Sequence, residues 1–318
     1  MRLLPIPIRP HKPPAMSLDH CERLFRDVRR CGSLPEICHA LEPIFDRYKV
    51  VSLGLERGAV FWRARPCKDT PWPSLTDMGA PPTGVASAGR FNDPSQSLLY
   101  TSIREETALL EINSLVGQTV QVIGYRTILG ENIRLAVVGE LMHVYKLGYM
   151  RFTGSDPGLT ISRLVNDLGA SQGREVIFFD AFLNSLLADD GAKGNEYIVT
   201  RAVASMIFRD QELDGIAFQS TRDTLGYNVI LRPEAAAKKI HATSCFQCQI
   251  KAIREYNFID YEVLSEVVRL REDNAFEWAQ PLGVQRRRFF NLTKEEYDVA
   301  RSLANDPNAF LAMTRAHR

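Results

Sequence analysis

Leu98-Leu-Tyr-Thr-Ser-Ile-Arg-Glu-Glu-Thr-Ala-Leu-Leu-Glu-Ile-Asn-Ser-Leu-Val116 reads as a short strand running into a helix. Leu98 to Thr101 is the strand. Ser102-Ile-Arg-Glu105 has capping-box spacing, which would satisfy first-turn N–H groups and open a helix to about Val116. Ala108, Ile112, Leu115 and Val116 give that helix an apolar face, and Glu111 falls at its edge. A carboxylate there is partly desolvated or ion-paired. Two strand patterns follow directly, at 119–128 and 133–138. Helical patterns come next at 174–188 and 196–209, then strands at 216–219 and 227–231. Strands and helices without a regular βαβ alternation predict α+β rather than a doubly wound sheet.

Upstream, residues 17–49 read as two short helices, and Gly54 and Gly58 mark a break. Ala59-Val-Phe-Trp-Arg-Ala-Arg65 is strand-like, and a proline-rich loop runs from Pro66 to Ala88. Downstream, the last 70 residues read as mostly helical, with an amphipathic piece near 293–304. This divides the chain into an N-terminal helical extension (1–56), a catalytic domain (57–235) and a mostly helical C-terminal extension (236–318). No internal repeat or low-complexity tract is present.

The 318 residues are 45% hydrophobic and 24% charged, which is the composition of a globular protein. With a formal charge of +1, no global field recruits nucleic acid or anionic membrane. Arg286-Arg-Arg288 is read as a solvated face rather than a nucleic-acid patch. The apolar stretch Leu3 to Ile8 is broken by Pro5 and Pro7, and no apolar run is long enough to cross a bilayer. The expectation is a cytoplasmic protein. Cys245-Phe-Gln-Cys248 is a close thiol pair with His241 before it, but no second pair completes a zinc site, so no metal is expected.

Several residues sit in poor places for their chemistry. Arg63 and Arg65 lie in an apolar strand beside Phe61 and Trp62. Gly89-Arg90-Phe91-Asn92 offers a guanidinium fork where glycine lets backbone approach closely. Gln219-Ser220-Thr-Arg222 ends one strand, and Tyr227-Asn228 begins the next. Each has an ordinary reading as well: a salt-bridged arginine, an ion-paired helix-edge glutamate, a turn-capping serine. There is no Gly-x-Ser-x-Gly elbow, Walker loop, dinucleotide fingerprint or His-Glu-x-x-His helix.

Taken in order, three blocks resemble the RES family, named for an Arg, a Glu and a Ser: Phe61-Trp-Arg-Ala-Arg65; Gly89-Arg-Phe-Asn through Tyr100 to Glu111; and Ile216 through Ser220 to Asn228. The resemblance spans residues 57 to 235. It implies an ADP-ribosyltransferase-like mixed-sheet core and destruction of NAD by hydrolysis or phosphorolysis. NAD would be a substrate, with no cofactor or metal. A growth-inhibiting toxin would result, with an antitoxin or immunity protein and a second copy of the chain as candidate partners. By position, Arg63 and Arg90 would grip the phosphates, with Arg65 and Asn92 beside them. Tyr100 would stack on the nicotinamide end, Glu111 would serve the reacting ribose, and Ser220 with Asn228 would hold the nicotinamide riboside. Ala88-Gly-Arg-Phe-Asn92 stands where many relatives have Gly-Gly-Arg-Trp-Asn, and Gln219 precedes the serine where proline is frequent.

This inventory suits the reaction. The leaving nicotinamide departs neutral, so it needs no general acid, and one carboxylate suffices to stabilise an oxocarbenium-like ribose. A mono-ADP-ribosyltransferase with a protein target is the alternative in the same fold. A silent nucleotide-binding module is the alternative of another class.

Overall fold

The computed structural model describes residues 2–3, 14–56, 59–68, 70–84, 86–152, 155–188 and 197–280. The helix expected at 293–304 and Arg286-Arg-Arg288 lie outside them. The chain is α+β and forms two compact units, each assembled from separate stretches: residues 1–54, 82–97 and 133–227 in one, and 55–81, 98–132 and 228–318 in the other.

In the first unit, helices dominate. β1 (Arg2–Leu3) pairs antiparallel with β2 (Val51–Leu55). α1 (Leu18–Arg30) starts where Ser17 accepts from the His20 N–H, and α2 (Leu34–Phe45) where Ser33 and Glu36 form a reciprocal capping box. Cys21, Phe25 and Val28 of α1 and Ile37, Leu41 and Ile44 of α2 are buried, so both expected helices form with their expected apolar faces. β6 (Ile133–Val137) runs parallel to β7 (Gly215–Gln219). Between them in sequence come α5 (Glu140–Leu147), α6 (Ser155–Asp167), α7 (Ala170–Leu187) and α8 (Ile198–Ile207). Phe25 stacks on Phe182 of α7 with ring centroids 3.9 Å apart. Buried Asp180 accepts from the Tyr48 hydroxyl at 2.5 Å and from the Gly139 and Leu141 N–H groups at 3.0 and 2.7 Å, fixing the entry to α5. Gly139 has φ +91°, and a Cβ there would sit 2.5 Å from Asn184, so glycine is required.

The second unit is built on antiparallel strands in the order β8-β4-β3-β5-β9-β10-β11. These are β3 (Val60–Pro66), β4 (Leu99–Ser102), β5 (Thr119–Thr127), β8 (Tyr227–Leu231), β9 (Ile240–Ile253), β10 (Ile259–Leu270) and β11 (Phe276–Ala279). α3 (Leu75–Met78), α4 (Glu105–Glu111) and α9 (Pro233–Lys239) complete it. Strand alternation puts Trp62 and Ala64 on one face with Val120, Val122, Phe246 and Cys248, and α4 packs there through Ala108 and Leu109. Each fully buried aliphatic side chain of this cluster stabilises by about 1.5–3 kcal/mol.

Three expectations are corrected. Residues 240–280 form three strands, not helices: β9 is buried on both faces and β10 intersperses charges with apolar residues, so neither shows a clean period of two. β2 occupies the stretch read as leading to a break, because Gly54 sits inside a buried strand. α4 ends at Glu111 rather than near Val116. Asn113 takes a left-handed φ of 51°, and Leu115 and Val116 beyond it are 67% and 65% exposed instead of joining the core.

Candidate active-site residues

β3 pairs with β5 along its whole length, which makes Arg63 and Arg65, two apart, face the same side as Phe61. Their partners separate them. Arg65 donates to the Asp77 carbonyl and lies over the Trp72 ring, its guanidinium carbon 3.5 Å from the centroid. It is held by the loop that follows its own strand. Arg63 donates to the Tyr100 carbonyl at 3.1 Å, and its Nε is buried with no hydrogen-bond partner. Burial, and secondarily the Arg65 charge, push the Arg63 pKa below the usual arginine range. Among the described residues no carboxylate pairs with it.

Trp62 lies opposite Ser102 and Ser102 opposite Asn228, so these three share the face that α4 covers. Tyr100, two before Ser102, shares it too and is half-buried. Arg63 and Arg65 therefore project from the face opposite to Ser102 and Asn228. The Arg63 guanidinium meets β4 only at a backbone carbonyl.

Glu111 closes α4. Asn228 donates from Nδ2 to Glu111 Oε1 at 2.7 Å, and Ser102 donates from Oγ to Asn228 Oδ1 at 2.7 Å. Asn228 and Ser102 are 6% and 2% exposed, while Glu111 is half-buried. The expected capping box does not form: Arg104 occupies the N-cap with no side-chain bond, and the Ser102 hydroxyl is turned across the sheet instead. At the other end of α4, Glu105 accepts from the Tyr261 hydroxyl of β10. Sequence reasoning missed Ser102 and Tyr261 as neighbours of this group. The first carried a local signal with another meaning, and the second lies in a segment read as helical.

The first unit holds Arg90, Asn92 and Ser220. Arg90 donates to the Leu187 carbonyl and to Thr221 Oγ1 at 3.3 Å, and its own carbonyl accepts from Thr200. Buried Asn92 donates to the Ser87 and Asp93 carbonyls at 2.9 and 3.1 Å, while Phe91 packs on Phe218. Ser220 Oγ accepts from the Arg222 and Asp223 N–H groups at 3.1 and 2.9 Å, and its N–H donates to the Gly226 carbonyl. The turn it caps is anchored further on, where Tyr227 donates to buried Glu140 and Arg151 donates to the Thr224 carbonyl.

Cys245 and Cys248 sit three apart in β9, so they point to opposite faces. Cys245 meets Gln121 at 3.3 Å, and Cys248 lies in the apolar cluster under α4. Burial pushes the Cys245 thiol up to about 12 and raises that of Cys248 as well. Among the described residues no group of three or more His, Cys, Asp or Glu side chains could hold a metal, and no helix is long and apolar enough to cross a membrane.

No curated protein matches the chain significantly. Among solved structures, the crystal structure of the M. tuberculosis MbcT–MbcA toxin–antitoxin complex aligns at 9% identity, covering 71% of this chain and 92% of that one with a TM-score of 0.33. Likeness at that level carries no weight for function. A family model described as the RES domain matches residues 60–248, from β3 into β9. With more than half of its residues inside that match, the chain belongs to the RES-domain family.

Proposed function

We propose that this protein cleaves NAD at the nicotinamide–ribose bond, as a glycohydrolase or phosphorylase, and that it acts as a growth-inhibiting toxin. The observation that carries this reading is Glu111: a half-buried carboxylate at the end of α4, within the RES-domain match, held by Asn228 Nδ2 at 2.7 Å. The family resemblance gives the phosphates to Arg63, which projects from the face of β3 opposite to Glu111, so substitution of Arg63 tests that role independently of the carboxylate.

The chemistry falls to Glu111. As the bond from nitrogen to the anomeric carbon breaks, its electron pair leaves with nicotinamide, which departs neutral. Positive charge grows on the ribose, and a carboxylate fixed by a donor that cannot accept its proton stabilises that charge. An oxygen of water or phosphate then bonds to the anomeric carbon. Where water attacks, Glu111 takes its proton and passes it to solvent. Tyr100, on the α4 side of β4, offers a ring to stack on the nicotinamide end. A neutralising partner protein is part of the toxin reading.

The test is chromatography of NAD incubated with the protein, with and without inorganic phosphate. Free ADP-ribose marks the hydrolase, and its phosphorylated counterpart appearing only with phosphate marks the phosphorylase. Intact NAD after hours with micromolar protein would overturn the reading.

A further inference from the structure

We propose that Ser102, acting through Asn228, is a positioning residue that holds the Glu111 carboxylate in its working orientation. The inference rests on the reading of Glu111 given above. It begins with an asymmetry of hydrogen-bonding capacity. A carboxylate only accepts, a carboxamide has one accepting and one donating end, and a hydroxyl does either. Asn228 therefore holds an ionised Glu111 only with its NH2 turned toward Oε1, and this leaves Oδ1 pointing back into the sheet. There the Ser102 hydroxyl donates to it at 2.7 Å. With the amide rotated by half a turn, Oδ1 would face the carboxylate and repel it. The serine proton is what penalises that rotation.

The placement is built into the strand register. Ser102 and Asn228 are direct partners across β4 and β8, both buried, so the relay is carried by two paired backbones rather than a loop. Glu111 is the last residue of a short helix, where a side chain is least constrained by its own element. Asn228 holds it from outside the helix. A small misalignment of a group facing the reacting carbon is costly in rate while leaving substrate affinity nearly unchanged.

The experiment compares Ser102→Ala and Ser102→Thr with the wild-type protein, by nicotinamide release from NAD and by a thermal-unfolding cycle pairing Ser102→Ala with Glu111→Gln. The expected result is a fall in kcat of about 10- to 100-fold for Ser102→Ala with KM within about threefold. Ser102→Thr, which keeps the hydroxyl, recovers most of the loss. In the cycle, the melting-temperature losses of the two single variants do not add in the double variant, because both act on one amide. Unchanged kcat in Ser102→Ala, or no recovery with threonine, overturns the proposal. If the wild-type protein leaves NAD intact, the functional reading fails by itself and the thermal cycle decides the relay: non-additive losses uphold it, and additive losses overturn it.

Discussion

The two units treat their share of the predicted residues differently. In the first, Ser220 accepts from two N–H groups, Asn92 donates to two carbonyls, and Arg90 donates to the Leu187 carbonyl and to Thr221 Oγ1. Such bonds shape turns. In the second, Glu111, Asn228 and Ser102 bond side chain to side chain over more than 100 residues of sequence, and Arg63 carries a buried nitrogen with no partner. Such bonds tie distant parts of the chain together rather than shape a local turn. The contrast teaches that residues of one family motif can be held in different ways, some by the backbone of a nearby turn and some by side chains from distant parts of the chain.

Substitution can break or sharpen that contrast. Arg63→Met should have the largest effect, lowering kcat/KM for NAD by about 10³-fold while costing only about 1 kcal/mol of stability, for the one hydrogen bond to the Tyr100 carbonyl. A loss of stability equal to the loss of activity would make Arg63 a structural residue. Asn228→Asp comes next: it places an acceptor against Glu111 Oε1, and kcat should fall by about 100-fold at neutral pH. Ser220→Ala reverses the pattern, destabilising by about 1–2 kcal/mol through two lost acceptor contacts, read as a lower melting temperature. The smallest effect is expected for Arg65→Lys, which weakens the contact with Trp72 by about 1 kcal/mol and changes kcat/KM far less than Arg63→Met.

Much of this was legible beforehand, for reasons that can be named. α1, α2, α7, α8, β5, β7 and β8 each carry a clean period or clear boundary residues, and the structure has them close to the expected spans. The helix expected to hold Glu111 forms, but ends at that residue instead of carrying it on the edge of an apolar face that runs on to Val116. Choosing between Arg63 and Arg65 was beyond local pattern, because the two share a strand face; what separates them is Trp72 and Asp77, brought over by a loop. Ser102 was misread for a related reason: its spacing to Glu105 fits a cap, but its partner, Asn228, is 126 residues away and is reached only through strand register. The strands after residue 240 escaped because burial on both faces of β9 erases alternation, and because the charges of β10, among them Asp260, Glu262, Glu266 and Arg269, imitate a solvated helix.

Nicotinamide release by the wild-type protein and by Glu111→Gln, at equal concentration and with matched melting curves, tests the central claim most directly. The account predicts steady release from NAD by the first and a rate lower by at least about 10²–10³-fold in the second, with the fold retained. Equal release from both would mean that the carboxylate clamped by Asn228 is not the group that drives nicotinamide from the sugar.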